Sequence, residues 1–117
     1  MPDKYKYINL AYVDEVSGGD PETKKQLIDV FFEQIDGIKK SFDTALQAHN
    51  GDEIRKTAHL AKSTLKVMGI NDLSDKMLQL EQQLKANPDT ECSNYIEEFN
   101  TNINLAIAEL KMVLKTL

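Results

Sequence analysis

Groups of residues that terminate helices divide this chain into five segments. The first group combines Gly18 and Gly19, which end a helix readily, with Asp20 and Pro21, which favour the start of the next one. Similar breaks follow at Asn50-Gly51-Asp52, at Gly69 and at Asn87-Pro88-Asp89. Because the 117 residues include only 3 prolines and 5 glycines, the segments between these breaks are free to be helical. The spacing therefore predicts a set of helices joined by short turns.

The chain is predicted to form one short helix and four long ones, after a short polar lead-in over residues 1–8. The first helix starts at Leu10 behind the N-cap Asn9 and stops at Gly18, and the second runs from Pro21 to about Ala48. The third helix is capped by Asn50-Gly51-Asp52 and ends at Gly69. The fourth helix starts at Asn71 or Asp72, and the last runs from about Glu91 to Lys115. Gly37, inside the second helix, is unfavourable by about 1 kcal/mol relative to alanine. Close packing is the one explanation that the sequence offers for it.

Each long helix carries apolar residues at helical spacing, which indicates one buried face. The predicted inner positions are Leu27, Phe31, Ile35, Ile38, Phe42 and Ala45 in the second helix, Ile54, Ala58, Ala61, Leu65 and Met68 in the third, Leu73, Met77, Leu80 and Leu84 in the fourth, and Tyr95, Phe99, Ile103, Ala106, Leu110 and Val113 in the last. Because the connections are short, neighbouring helices are expected to be antiparallel. The sequence predicts an all-α fold: an up-down-up-down antiparallel four-helix bundle, with the short additional N-terminal helix over one end, forming a single domain over residues 1–117.

Composition and charge exclude several classes of function. The net charge is −5, whereas general nucleic-acid binding needs a basic surface. The first residues lack the apolar stretch of a signal peptide, and no run approaches the roughly 20 apolar residues that span a bilayer. The single cysteine, Cys92, cannot form an internal disulfide and is expected to be a small helix residue. We therefore expect a cytoplasmic protein that binds neither nucleic acid nor membranes.

One histidine lies outside the apolar stripe of the third helix. His59 shares a face with Arg55, Lys62 and Lys66, at helical spacings of four, three and seven residues. By position alone it would be an ordinary surface histidine. Its cationic neighbours, however, would attract a phosphoryl group and balance its charge, and a neutral imidazole is a nucleophile. The residues thus suggest a histidine that accepts a phosphoryl group and gives it up again.

No second chemical site emerges from the sequence. His49 is predicted to be a cation at the C-terminal end of the second helix, and no set of cysteines or carboxylates completes a metal site with the two histidines. No Gly-rich phosphate loop is present. We therefore expect no metal, no cofactor and no ATP-dependent kinase activity.

The run around His59 resembles the signature of histidine-containing phosphotransfer (HPt) domains. The matching residues are Ala58, His59, Lys62, Thr64, Gly69 and the pair Leu80-Glu81, 22 residues beyond the histidine on the next helix, and the segment Phe32-Glu33-Gln34 is similar to the family's long second helix. The resemblance covers about residues 8–114. Two positions depart from the pattern, which usually has glycine at position 63, here Ser63, and often has leucine at position 61, here Ala61.

The resemblance implies a carrier in phosphorelay signal transduction. His59 would accept a phosphoryl group from an aspartate of a response-regulator receiver domain and pass it to another receiver. A hybrid histidine kinase would begin the relay, the receivers would supply Mg²⁺, and the carrier would be a monomer. The alternative is a degenerate HPt-like helical adaptor that binds a signalling partner without carrying phosphate, which Ser63 favours and the retention of His59 with Lys62 opposes.

Several roles around His59 stay open. Lys62 is predicted to stabilise the phosphoryl group, with Lys66 as a second candidate. Glu81 either orients the tautomer of His59 by accepting a hydrogen bond from one ring nitrogen, or forms an ordinary helical pair with Lys85. The apolar Leu60 and Val67, with Ser63 between them and the histidine, either bind the partner or pack against the short first helix.

Overall fold

The computed structural model describes residues 5–117, and within them the regular structure is entirely α-helical. The five helices are α1 (Ala11–Ser17), α2 (Pro21–Gln47), α3 (Gly51–Val67), α4 (Asn71–Ala86) and α5 (Ser93–Thr116). All lie within about two residues of their predicted bounds. The predicted all-α helical bundle is confirmed. None of these helices is both long and apolar enough to cross a membrane.

The helix ends follow the predicted capping chemistry at two of the breaks. The Asp20 side chain accepts a hydrogen bond from the Thr23 backbone N–H at 2.9 Å, and Asn50 does the same for Glu53 at 3.1 Å. At the start of α1, Leu10 rather than Asn9 occupies the N-cap position, and the Asn9 side chain instead accepts from the Ala11 N–H. The prediction of Asn9 as the N-cap is therefore wrong by one residue.

The last helix begins at Ser93, two residues later than predicted, with Cys92 at its N-cap position. The Cys92 side chain is buried and its thiol donates to the Thr90 carbonyl at 3.2 Å. Burial raises the pKa of this thiol, with the nearby Glu91 carboxylate acting in the same direction. Cys92 is therefore a small buried residue at the helix start, and its thiol stays protonated.

The helices pack in the order expected for a bundle. α3 lies against α4 and α2, while α5 packs mainly against α2 and α4. Contacts between α3 and α4 are antiparallel, because His59 meets Glu81 whereas the carbonyl of Lys62 meets Ser74 further back along α4. This antiparallel pair places one face of each helix on a shared outer surface, where the candidate site lies.

The core is continuous along the bundle and follows the predicted stripes with two exceptions. Within it, the rings of Phe42 and Phe99 meet edge to face with centroids 5.2 Å apart. Ile28 is fully buried where Leu27 was predicted, and Ile96 is buried where Tyr95 was predicted. Leu27 and Tyr95 are only partly buried, because each lies one position away from the centre of its helix's inner face.

The N-terminal segment, predicted to be a polar lead-in, is bound to the helices by backbone hydrogen bonds. The Glu109 carboxylate on α5 accepts backbone N–H groups of Lys6, Tyr7 and Ile8 at 2.7, 2.8 and 3.1 Å. Ile8 is buried, and the Asn9 N–H donates to the carbonyl of Met68 at the end of α3. Residues 5–9 therefore connect α5 to the α3–α4 turn, whereas residues 1–4 of the predicted lead-in lie outside the described residues.

Within residues 5–117, no other helix packs closely against Gly37, contrary to the explanation suggested by the sequence. It is exposed in the middle of α2, and a methyl group added there would meet open space. We expect Gly37→Ala to raise the free energy of unfolding by about 0.5–1 kcal/mol, because alanine loses less backbone freedom on folding. Urea unfolding followed by circular dichroism measures this change, and a destabilised variant would show that something approaches this face of α2.

Candidate functional site

His59 projects from the side of α3 that faces away from the core. Ile54, Ala58, Ala61 and Leu65 are buried on the opposite stripe, as predicted. The His59 side chain is 62% exposed. The helix thus fixes the backbone of His59 through its buried neighbours while leaving one edge of the ring open to a partner.

Glu81 lies beneath His59 and is buried despite its charge, with a side chain only 4% exposed. Its Oε2 is 2.6 Å from the Nδ1 atom of His59, and its Oε1 accepts from the Nζ of Lys62 at 3.1 Å. The Nζ of Lys85 lies 3.7 Å from Oε2. A buried carboxylate is tolerated only with such partners, because an unpaired charge in the interior is strongly unfavourable.

The carboxylate of Glu81 is ionised at neutral pH. Burial raises its pKa, but hydrogen bonds from Lys62 and His59, together with their charges, outweigh burial and hold the pKa below the ordinary value. An ionised carboxylate can only accept hydrogen bonds. The 2.6 Å contact therefore requires a proton on Nδ1, which leaves the lone pair of a neutral ring on Nε2.

The lowered pKa of Glu81 makes stability depend on pH. Its stabilising contribution is complete above the ordinary carboxyl pKa of 4.5 and is lost as the pH falls through the lower pKa of the folded state. We expect Glu81→Gln to lower the free energy of unfolding by about 1–3 kcal/mol at neutral pH, and this difference from the unchanged protein to shrink below about pH 4.5.

Urea unfolding of both proteins across this pH range measures the difference directly. Asp20 and Asp52 also have lowered pKa values, but they are present in both proteins and cancel in the comparison. A difference that stayed constant down to the lowest pH would show that the charge of Glu81 does not stabilise the fold.

The structure brings only part of the predicted cationic face to the histidine. Lys62 shares the carboxylate of Glu81 with His59, and its side chain is 21% exposed. Arg55 pairs instead with Asp52 at 2.8 Å. Lys66 is exposed on the same side of α3 and makes no ion pair within residues 5–117. Lys62 is thus a partly exposed cation paired with a buried anion.

Lys85 is a site residue that the sequence reasoning did not place at the site. It was considered only as a helical partner of Glu81, and that pair does form, with the Lys85 side chain 60% exposed. The Oε2 atom that Lys85 approaches at 3.7 Å is the same oxygen that contacts Nδ1 of His59 at 2.6 Å. The four-residue spacing of Lys85 from Glu81 was the available signal, and the structure shows Glu81 in contact with both His59 and Lys85.

The three predicted partner-binding residues differ in their exposure. Leu60 is 57% exposed and Ser63 is also exposed, so both belong to the open surface around His59. Val67 is half-buried and packs against the core. Leu78, on α4 one turn before Glu81, is a further exposed apolar residue that the sequence reasoning did not select.

Nothing in the described part of the chain groups three or more histidine, cysteine or carboxylate side chains in a way that could hold a metal ion. His49 follows the C-cap residue Ala48 at the end of α2 and has a positive φ of 51°. It is near Glu91, whose carboxyl pKa is lowered mainly by hydrogen bonds from Ser93 and slightly by His49. The two histidines are therefore parts of different surroundings.

A family model, described as the Hpt domain, matches residues 26–114, which is most of the chain. The chain belongs to the Hpt domain family. The matched segment includes His59, Lys62 and Glu81. Comparison with curated proteins and with solved structures gave no match.

Membership confirms the predicted family and its general role. Hpt domains are phosphocarriers of two-component phosphorelays rather than kinases, and they interact with receiver domains and histidine kinases. The family match leaves the individual site residues and partners of this chain to be argued from its own geometry.

Proposed function

We propose that this Hpt domain carries a phosphoryl group on Nε2 of His59, receiving it from the aspartyl phosphate of one receiver domain and passing it to the aspartate of another. One observation carries the proposal: an exposed imidazole whose Nδ1 is held by a buried, ionised carboxylate 2.6 Å away. This contact orients the ring and directs the nucleophilic lone pair outward.

The chemistry assigned to this chain is limited to a positioned nucleophile and its charge environment. Nε2 attacks phosphorus in line, the N–P bond forms as the P–O bond to the receiver aspartate breaks, and the aspartate leaves with the electron pair. Lys62, held at its ammonium by Glu81, is placed one turn from His59 to stabilise the phosphoryl group. Lys66, exposed on the same face, is assigned a weaker, longer-range contribution.

The proposed docking surface surrounds His59 on the outer face of α3. Leu60 supplies exposed apolar area next to the histidine, and Ser63 lies one turn further along the helix. Val67 contributes less, because it is half-buried. The carrier is proposed to act as a monomer and as a single domain, since a receiver must reach this face unobstructed.

The experiment that tests the function is incubation of the purified protein with phosphorylated receiver domains. We expect the protein to acquire phosphate that is labile in acid and stable in base, as phosphohistidine is. Binding of receivers without any such phosphate would instead support the degenerate adaptor. The structure retains the nucleophile, the orienting carboxylate and the cation together, which favours the carrier.

Ser63 tests the docking surface because it replaces the glycine usual in the family. We expect Ser63→Gln to slow phosphotransfer from a receiver by about ten-fold or more, since a long side chain would obstruct the approach to His59, while the free energy of unfolding changes by no more than about 0.5 kcal/mol. Ser63→Gly is expected to keep or improve transfer.

Phosphotransfer reactions quenched at short times measure these transfer rates. Thr101→Gln is the matched control, because Thr101 is exposed on α5, which packs mainly against α2 and α4. Transfer at the normal rate in Ser63→Gln would place receiver docking on another face.

A further inference from the structure

Glu81 presents a full negative charge to the ring, whereas orienting the tautomer needs only a hydrogen-bond acceptor. We infer that this charge keeps phosphorylated His59 in its cationic form, with the proton retained on Nδ1, and thereby makes the phosphohistidine short-lived and quick to pass its phosphoryl group on. The inference rests on the proposed function and concerns the regulation of the same site. On this inference the domain passes its phosphoryl group on quickly and does not store it.

The balance of atoms and charge explains why the proton on Nδ1 matters. When Nε2 of the neutral ring forms its bond to phosphorus, Nδ1 keeps its proton and the ring becomes positively charged. In the onward step an aspartate oxygen of the second receiver bonds to phosphorus as the N–P bond breaks, the electron pair of that bond returns to Nε2, and the ring leaves as neutral imidazole. No proton needs to move in either direction. If the phosphorylated ring lost the Nδ1 proton, the leaving group would be an imidazolate, which is far poorer.

The carboxylate of Glu81 is the negative group that balances the positive charge of the phosphorylated ring. The charged side chains that reach it are Lys62 from α3 and Lys85 from α4, and both are cations. Arg55, on the same face of α3, is paired with Asp52. These cations attract the negative phosphoryl oxygens, but their charges repel a positively charged ring. The short contact from Oε2 to Nδ1, made by a side chain almost excluded from water, supplies the opposing attraction.

Glu81→Gln separates charge from orientation. The amide oxygen of glutamine has nearly the same position and still accepts a hydrogen bond from Nδ1, but it carries no charge. Glu53→Gln is the matched control, because Glu53 is an exposed carboxylate on α3 that pairs with Lys56 and makes no hydrogen bond or ion pair with His59. A purely orienting role for Glu81 predicts no change in the charge of the phosphorylated ring in either variant.

The test loads the protein with phosphoramidate, a small phosphoryl donor, so that no receiver is needed. Loss of phosphohistidine is then followed by ³¹P NMR from about pH 5 to about pH 9. We expect hydrolysis of Glu81→Gln to be about ten-fold slower than that of the unchanged protein near pH 8, with the inflection of the rate profile at least about one pH unit lower. The profiles should converge at low pH, where the ring is protonated in both proteins. Glu53→Gln should match the unchanged protein.

A second readout uses the unchanged protein alone, so that the inference does not depend on the folding of a variant. The ¹⁵N shift of Nδ1 in the phosphorylated protein should show a protonated nitrogen at pH values where a phosphohistidine peptide has lost that proton. Coinciding rate profiles, or a deprotonated Nδ1, would overturn the inference while leaving the carrier role intact. Absence of phosphohistidine from either donor would overturn the proposed function, and the inference with it.

Discussion

Replacing His59 with glutamine should abolish the transfer of phosphate from a phosphorylated receiver. The side chain is 62% exposed and lies outside the core, so the helical content should not change. Glutamine keeps a hydrogen-bond donor near Glu81 but has no nucleophilic nitrogen. Radiolabelled phosphate on the protein, separated from the receiver by electrophoresis, measures the loss.

His49→Gln is the control for the loss of a histidine. His49 lies beyond the end of α2, in separate surroundings, and its replacement should leave labelling unchanged. Full labelling of His59→Gln, or loss of labelling in His49→Gln, would show that the phosphoryl group is carried elsewhere.

Gly69→Ala should cause a large loss of stability, because the added methyl group has no room. Gly69 has a positive φ of 65°, and a methyl group there would overlap the backbone of Asn9. We expect the free energy of unfolding to fall by about 2–5 kcal/mol, from left-handed backbone strain together with displacement of the segment that donates to Met68. Thermal and urea unfolding measure the loss.

Gly18→Ala separates the two causes. Gly18 has nearly the same φ, 61°, but a methyl group added there meets nothing. Its replacement should cost only about 1–2 kcal/mol, the strain of the left-handed conformation alone. Equal losses in the two variants would mean that the overlap of the added methyl group with Asn9 costs nothing beyond the backbone strain.

Much of the fold could be predicted from local patterns. The N-caps Asp20 and Asn50 and the apolar spacing within α3 and α4 depend on neighbours within a few residues, so the sequence shows them directly. The errors at Leu27 and Tyr95 are shifts of one position, which arise where apolar residues are adjacent and only packing decides which is inside. The attachment of residues 6–8 to Glu109 could not be predicted, because it joins groups about a hundred residues apart.

The candidate site shows the same division. The exposure of His59 follows from the periodicity of α3, but the burial of Glu81 depends on how α4 packs against α3. Resemblance to a known family singled out Glu81, while the sequence left open whether this carboxylate contacts His59 or pairs with Lys85 along α4. The structure adds that one carboxylate serves His59, Lys62 and Lys85 together, which no pattern along a single helix reveals.

The most direct test of the account is the position of the phosphoryl group on the ring. Two-dimensional NMR of the protein phosphorylated by a receiver distinguishes phosphorus bonded to Nε2 from phosphorus bonded to Nδ1. Because Nδ1 is held by the buried carboxylate of Glu81, we expect the phosphoryl group on Nε2 of His59 alone. Phosphorus on Nδ1, or on any other residue, would contradict the account.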